Sequence, residues 1–261
     1  MRKLIGKIGR CLGHTPLGRF PVRVRRGLAQ GAWWTAFPHS AYWRGTYETD
    51  VDQAVQRLGD LRGAACWDLG THYGIYTVGL ALAVGPEGQI AAFEPDPKSY
   101  ARCHRHVLMN RLHWVRLYQA AVSEGDGQAD IMHYSGLGTP TTHLRYPGEE
   151  GVGATHVPVT TVSLDSLVKK GEIRLPRLVK IDVEGHGAES LRGAVESIRE
   201  ARPWIVMGFH SPHEYLGVRD LLAPLGYGLF DCLTDRQYSQ PTDWLTDYLE
   251  SGTDTLLLRC C

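Results

Sequence analysis

The 261 residues predict an α/β fold: a mostly parallel seven-stranded sheet with helices on both faces and an N-terminal extension. Three observations carry this. From about residue 50, short apolar runs alternate with roughly 10- to 15-residue amphipathic stretches, the pattern of strands joined by helical crossovers. A glycine-rich turn, "CWDLGTHYGIYT" over 66–77, leaves the first apolar run. A second, acidic turn in "LVKIDVEGHG", 178–187, leaves a later one. In such sheets the ligand site lies at the carboxyl ends of the strands, where the strand order reverses.

The first 47 residues hold nine Lys and Arg and no acid, so the remainder holds 19 bases against 28 acids, a net of −9. Leu4, Ile5, Ile8 and Leu12 recur at helical spacing, and "AWWTAFPHSAYW" adds five aromatic residues. This basic arm, 1–47, is expected to pack against the acidic body, 48–261. Its tryptophans and bases are also compatible with peripheral membrane contact through residues 1–40. The start lacks the apolar run of a signal peptide, and the stretch 75–85 is short of a ~20-residue span. Six cysteines show no CxxC pair or zinc spacing. A reduced, cytoplasmic protein is expected.

In "TDVDQAVQRLGDL" the apolar positions 51, 54, 55 and 58 form a helical face. "AACWDLG" is a strand. "GIYTVGLALAV" is a helix with Ile75, Val78 and Leu82 on one face, stopped at Gly85-Pro86. After the strand "GQIAAFEP", Asp96 caps a helix that has Pro97 at its first position and buries Tyr100, Cys103 and Val107. His104 and His106 lie on that helix among arginines and are expected to face solvent. "WVRLYQAAV" is a third strand and "GQADIMHYS" a hairpin-like piece. The Gly-, Thr- and Pro-rich loop 135–155 is expected to lie over the site as a lid. "THVPVTTVSLDSLVKK" gives a strand and short helix, and "RLVKIDVEG" a strand. A helix then buries Ala188, Leu191, Val195 and Ile198. "PWIVMGFH", a helix over 213–225, "YGLFDC" and "TDTLLLRC" complete the set.

The chemistry lies in the turns. A dinucleotide fingerprint is GxGxxG, whereas here Asp68 precedes Gly70, position 72 is His, and the next glycine is Gly74. A carboxylate there repels a pyrophosphate and suits a cationic nucleoside, S-adenosylmethionine. Gly70 admits the ligand to the backbone, and Gly74 lets the helix start against the sheet. Glu94, 24 residues past Gly70, is placed to accept ribose hydroxyls. Asp182 and Glu184 fall on one face of their strand end, where they could bind cofactor, position a hydroxyl or hold a divalent metal. His210, just beyond another strand, is the candidate general base. His210 and His213 lack a third ligand at metal spacing, so no metal site is assigned. His72, beside the cofactor, is expected to make binding pH-sensitive near neutrality.

These pieces resemble the FkbM-type S-adenosylmethionine-dependent methyltransferases. The resemblance runs from "YETDVDQAV" (47–55) to "GYGLFDC" (226–232), through "WDLGTHYGIYT", "AAFEPDPKSY", "QAAVSEGDG", "VPVTTVSLDSLV", "LVKIDVEG" with "LRGA", and "RPWIVM". It implies a class I, Rossmann-like methyltransferase fold. Asp68, Gly70, Thr71, His72, Gly74 and Thr77 would then form the cofactor loop. Glu94 would be the ribose acid, Asp182 the acid at the transfer site, and Glu48 an upstream acid reaching the cofactor. It also implies O-methylation of a hydroxyl on a sugar, glycolipid or polyketide-like small molecule. Three departures stand out. Relatives favour Gly-Ala-Asn where this chain has Gly70-Thr71-His72, and they favour glutamates where it has Gly187 and Gly208. Two other readings are carried forward: an NAD-dependent oxidoreductase, and a cofactor-binding but inactive interaction protein. The acidic body gives no support to nucleic-acid binding, and the sequence gives no oligomeric state.

Overall fold

The protein was analysed as a computed structural model, which describes residues 20–36, 41–134, 142–144, 154–251 and 254–260. Its main sheet has seven strands. In spatial order these are β12 (Tyr227–Asp231), β13 (Thr255–Cys260), β11 (Trp204–Gly208), β10 (Leu178–Ile181), β3 (Ala65–Leu69), β4 (Gln89–Phe93) and β5 (Val115–Tyr118). β13 runs antiparallel to both of its neighbours, and the other pairings are parallel. The order leaves β3 in one direction through β4 and β5, and in the other through β10 and β11. The reversal between β3 and β10 is the switch point, where an open α/β sheet binds its ligand.

Successive strand residues alternate between two cores. Trp67, Leu69, Val179 and Ile181 pack on one face with Met207 and Trp244. Cys66 and Leu178 pack on the other with Val78, Leu80, Ile90 and Val206. By that alternation Asp68 and Lys180, which are register partners on β3 and β10, share the second face.

Several elements differ from expectation. The strand expected over 114–122 breaks after Tyr118, because Ala121–Val122 (β6) joins a second sheet. That sheet runs β6, β9 (Ala154–Val162), β7 (Gly127–Tyr134), β8 (Thr142–Leu144). The helix expected across 188–198 is two helices, Gly187–Arg192 and Val195–Ala201. A Cβ at Gly193, where they part, would overlap the Ser123 carbonyl. The helix Ile75–Val84 (α3) is buried nearly all round, and Leu82, expected inside, is 43% exposed. Apart from β8 and the start of β9, the proposed 135–155 lid lies outside the described residues, as do Leu4, Ile5, Ile8 and Leu12.

In the arm, Pro21–Arg23 (β1) and Trp33–Thr35 (β2) pair as an antiparallel hairpin, followed by the short helix Ala41–Arg44 (α1). Trp34 is fully buried and stacks on His106 at 3.6 Å. His106, expected in solvent on the helix Pro97–Met109 (α4), is therefore a core residue. No helix among the described residues is long and apolar enough to cross a membrane.

Candidate active site

The turn after β3 is wound left-handed at Gly70 (φ +78°), His72 (φ +49°) and Gly74 (φ +85°). A Cβ at Gly70 would overlap the Asp182 carbonyl oxygen, so only glycine fits between the two turns at the switch point. The backbone N–H groups of Gly70 and Thr71 both donate to the Phe93 carbonyl, which ties this turn to β4. Asp68 is completely buried. Its Oδ2 accepts the Thr77 hydroxyl at 2.5 Å, and its Oδ1 is buried without a hydrogen-bond partner. Burial raises its pKa, against the opposing pull of Lys180 and Thr77.

Glu94 is also buried, which excludes a merely solvated strand-end acid. Its Oε2 accepts the His72 N–H at 2.7 Å and its Oε1 the Asp96 N–H at 2.9 Å. Burial nevertheless pushes this carboxyl up to about 8. Each oxygen keeps a lone pair for a further donor. The His72 imidazole stacks on Tyr73 at 3.6 Å, and its Nδ1 lies 2.9 Å from the Tyr42 hydroxyl. The ring stays solvent-exposed, yet partial desolvation, with Lys180 and Arg102 nearby, pushes it below its ordinary value against the pull of Asp182, so the titration expected near neutrality moves to acid. Thr71 is buried in the same turn. Glu48 sits in left-handed backbone (φ +41°), and its carbonyl accepts the Tyr76 hydroxyl at 3.1 Å. Burial raises its carboxyl, opposed by Lys180.

Across the switch point, Asp182 follows β10. Its Oδ2 pairs with Lys180 Nζ at 3.3 Å and its Oδ1 with His210 Nε2 at 3.2 Å. Burial alone would raise this carboxyl, but Lys180 and His210 together hold it well below the usual range. Glu184 Oε2 lies 3.6 Å from the same His210 nitrogen. On the ring's other side, Glu214 Oε2 lies 3.6 Å from Nδ1 and accepts the His210 backbone N–H at 2.9 Å. Burial works against the imidazolium, yet Asp182 and Glu214 prevail and push His210 up to about 10. Asp182, Glu184 and His210 offer ligand atoms within 4.8 Å of one another, a convergence that spacing did not reveal. Two carboxylates and an imidazole are a donor set of divalent-metal type, and in this structure the imidazole pairs with Asp182. His213 is exposed.

Sequence reasoning missed Lys180 and Glu214. Lys180 is 5% exposed in the middle of a buried strand, and a lysine inside an apolar run was its signal. Glu214 stands three residues after the cap Ser211, as in a capping box. Its carboxylate instead accepts the His210 and Gly187 N–H groups, the latter at 2.8 Å. This bears on the two missing glutamates. A Cβ at Gly187 would overlap Met207 Cε and approach Glu214 Oε1 to 2.7 Å, so Glu214 fills that space from another helix. At Gly208 a Cβ would meet only ordinary contacts, 3.5 Å from Asp182 Oδ1 and 3.7 Å from His210 Cε1.

A family profile described as the Methyltransferase FkbM domain matches residues 68–229. The chain is 24% identical over 194 residues to the hexuronic acid methyltransferase AglP of Haloferax volcanii, covering 66% of this chain and 72% of that protein. It is 27% identical over 139 residues to the 2-O-methyltransferase NoeI of Sinorhizobium fredii, covering 46% of this chain and 54% of that one. It thus spans about half the length of the second relative. Among solved structures, the methyltransferase FkbM from Methylobacillus flagellatus is 16% identical, covering 75% of this chain and 43% of that chain, with a TM-score of 0.49. The fold assignment rests on the strand order above.

Proposed function

The chain belongs to the FkbM methyltransferase family, and from that premise we propose that it transfers the methyl group of S-adenosylmethionine to a hydroxyl oxygen of a sugar or sugar-bearing small molecule. One observation carries the reading: two acid-lined turns face each other across a single switch point. The β3 turn offers a glycine-backed cradle, and the β10 turn offers a carboxylate paired with an imidazole. The cradle suits a cationic nucleoside. Asp68 Oδ1 is a buried acceptor without a partner, Glu94 keeps two lone pairs at ribose position, and Gly70 lets this turn lie directly against the Asp182 carbonyl. The same buried carboxylate disfavours the pyrophosphate of NAD. The hydroxyl acceptor is supported by the names of the relatives, one acting on a hexuronic acid and the other a 2-O-methyltransferase.

When bound, S-adenosylmethionine supplies an electrophilic methyl group on a sulfonium. The protein's part is positioning and the handling of one proton. Asp182 and His210 hold the acceptor hydroxyl. For His210 Nε2, when neutral, to take the hydroxyl proton as the oxygen gains its methyl group, the acceptor hydroxyl must enter between Nε2 and Asp182 Oδ1, and Asp182 then stabilises the resulting imidazolium. Glu214 fixes the ring from the far side through the His210 backbone N–H. Because Glu214 supplies an acid beside Gly187, the glycine at 187 gives the inactive reading no particular support.

Calorimetry with S-adenosylmethionine and with NAD, followed by transfer of labelled methyl to a panel of sugar acceptors, tests this. Binding of the former alone is expected, and Asp68→Ala and Glu94→Ala should each weaken it by at least about tenfold, the scale of one buried hydrogen bond lost. Absence of S-adenosylmethionine binding by the intact protein would overturn the assignment.

A further inference from the structure

The strand that delivers Asp182 to the site also carries a lysine with no evident reason to be inside the protein. Lys180 lies at the third position of β10, where all four residues are buried. Desolvating an ammonium is costly unless it is paired. Its Nζ contacts Asp182 Oδ2 at 3.3 Å, and the Tyr76 ring centroid lies 5.2 Å away, an aromatic face that tolerates a cation. Asp68 and Glu48 act on it at longer range. Burial pulls its pKa down, and the three carboxylates more than offset this, so it remains an ammonium.

The two oxygens of Asp182 are thereby divided. Oδ2 belongs to Lys180, on the buried side, and Oδ1 to His210, on the side open to an acceptor. A carboxylate without the first contact is free to rotate about its last bond, and either oxygen could then meet the imidazole. We propose that Lys180 is a positioning residue: its ammonium fixes the Asp182 carboxylate, so that a single oxygen is presented to His210 and to the acceptor hydroxyl. The transfer step it serves is that of the proposed function, but the positioning itself is measurable with no acceptor present.

The groups that set His210 are Asp182, Glu184 and Glu214, and those around Lys180 are Asp182, Asp68, Glu48 and Tyr76. Lys180 therefore reaches the imidazole through Asp182. In Lys180→Met the carboxylate loses its second cation and leans fully on the first. The His210 imidazole, followed by NMR titration, should shift upward by about 0.5 pH unit or more, the scale of one nearby charge. Lys180→Arg should move less than Lys180→Met. In an Asp182→Asn background, Lys180→Met should leave His210 unmoved, because the connecting group is gone. Calorimetric affinity for S-adenosylmethionine should stay within about threefold of the wild type, since the ion pair that Lys180 makes, with Asp182, is on the transfer side.

An unmoved His210 in Lys180→Met would overturn the proposal. So would the same upward shift in the Asp182→Asn background. So would a large loss of S-adenosylmethionine affinity in a variant that melts like the wild type, because Lys180 would then serve the cofactor side. If Lys180→Met does not fold, Lys180→Arg and Asp182→Asn decide. A His210 titration that does not respond to loss of Asp182 removes the pair on which the inference stands. Wild-type protein that binds no S-adenosylmethionine would sink the proposed function while leaving the His210 measurements to judge the positioning.

Discussion

The proton balance at His210 decides how the site can work. A histidine held at about 10 by Asp182 and Glu214 is mostly imidazolium at neutral pH, and only the neutral ring accepts a proton. If His210 is the base, methyl transfer should climb by roughly tenfold per pH unit between about pH 7.5 and 9.5. His210→Ala should abolish that slope while leaving cofactor affinity nearly intact. A flat profile in the wild type would instead hand the proton to a carboxylate. Stability runs in the opposite sense. The folded pKa lies above the unfolded value of about 6.5, so the contribution of His210 is fully present below pH ~6.5 and lost as pH rises through about 10. Denaturation midpoints of the wild type and His210→Ala should converge at alkaline pH. Asp68, Glu94, Asp182 and His210 were legible in the sequence because each ends a strand beside a glycine or a turn. Lys180 and Glu214 were not, because their roles depend on which way a buried side chain points, and pattern alone does not give that.

At the scale of elements, the two glycines that stand where relatives favour glutamate are unlike each other. Gly187 opens the helix Gly187–Arg192 against Met207 and Glu214, and a Cβ there has nowhere to go. Gly187→Ala should cost about 1–3 kcal/mol by overpacking, and it should disturb the Glu214 carboxylate that braces His210. Gly208→Ala meets contacts of 3.5 Å and longer and should change stability by less than about 0.5 kcal/mol. Urea denaturation of the two variants makes the comparison, and equal costs would refute this account of Gly187. The alternation of elements was readable because crossover helices and buried strands have distinct periods. Two boundaries and one helix face were not. The strand break after Tyr118 and the split at Gly193 are set by docking of the second sheet and of the Ser123 carbonyl, which are tertiary events. α3 misled by its composition: a helix apolar all round has no preferred face for periodicity to find.

For the whole molecule, the basic arm poses the remaining question, whether its described residues, 20–36 and 41–47, are an appendage or part of the fold. Their packing supports the second. Leu28 donates its N–H to Asp52 at 3.3 Å, and Arg23 and Arg25 lie over Trp33 and Trp43, so part of the basic charge is spent within the protein. Trp34 stacks on His106, whose Nε2 accepts the Thr35 N–H at 3.2 Å and whose Nδ1 meets the Tyr73 carbonyl at 2.8 Å. Burial pushes His106 down to about 4, so the ring is neutral, with Nδ1–H as donor and Nε2 as acceptor. One imidazole therefore joins the arm's hairpin to the residue that follows His72 in the turn after β3, and Tyr42 reaches His72 itself. Trp34→Ala should cost about 3–5 kcal/mol, as expected for a large core side chain, and should also weaken S-adenosylmethionine binding through Tyr73. Trp33→Ala, at a site 38% exposed, should cost under about 1 kcal/mol and leave binding unchanged. Urea melts and calorimetry on the two neighbouring variants separate the cases. If Trp34→Ala costs no more than Trp33→Ala, the arm only rests on the methyltransferase fold; if it costs both stability and affinity, the arm is one wall of the cofactor site.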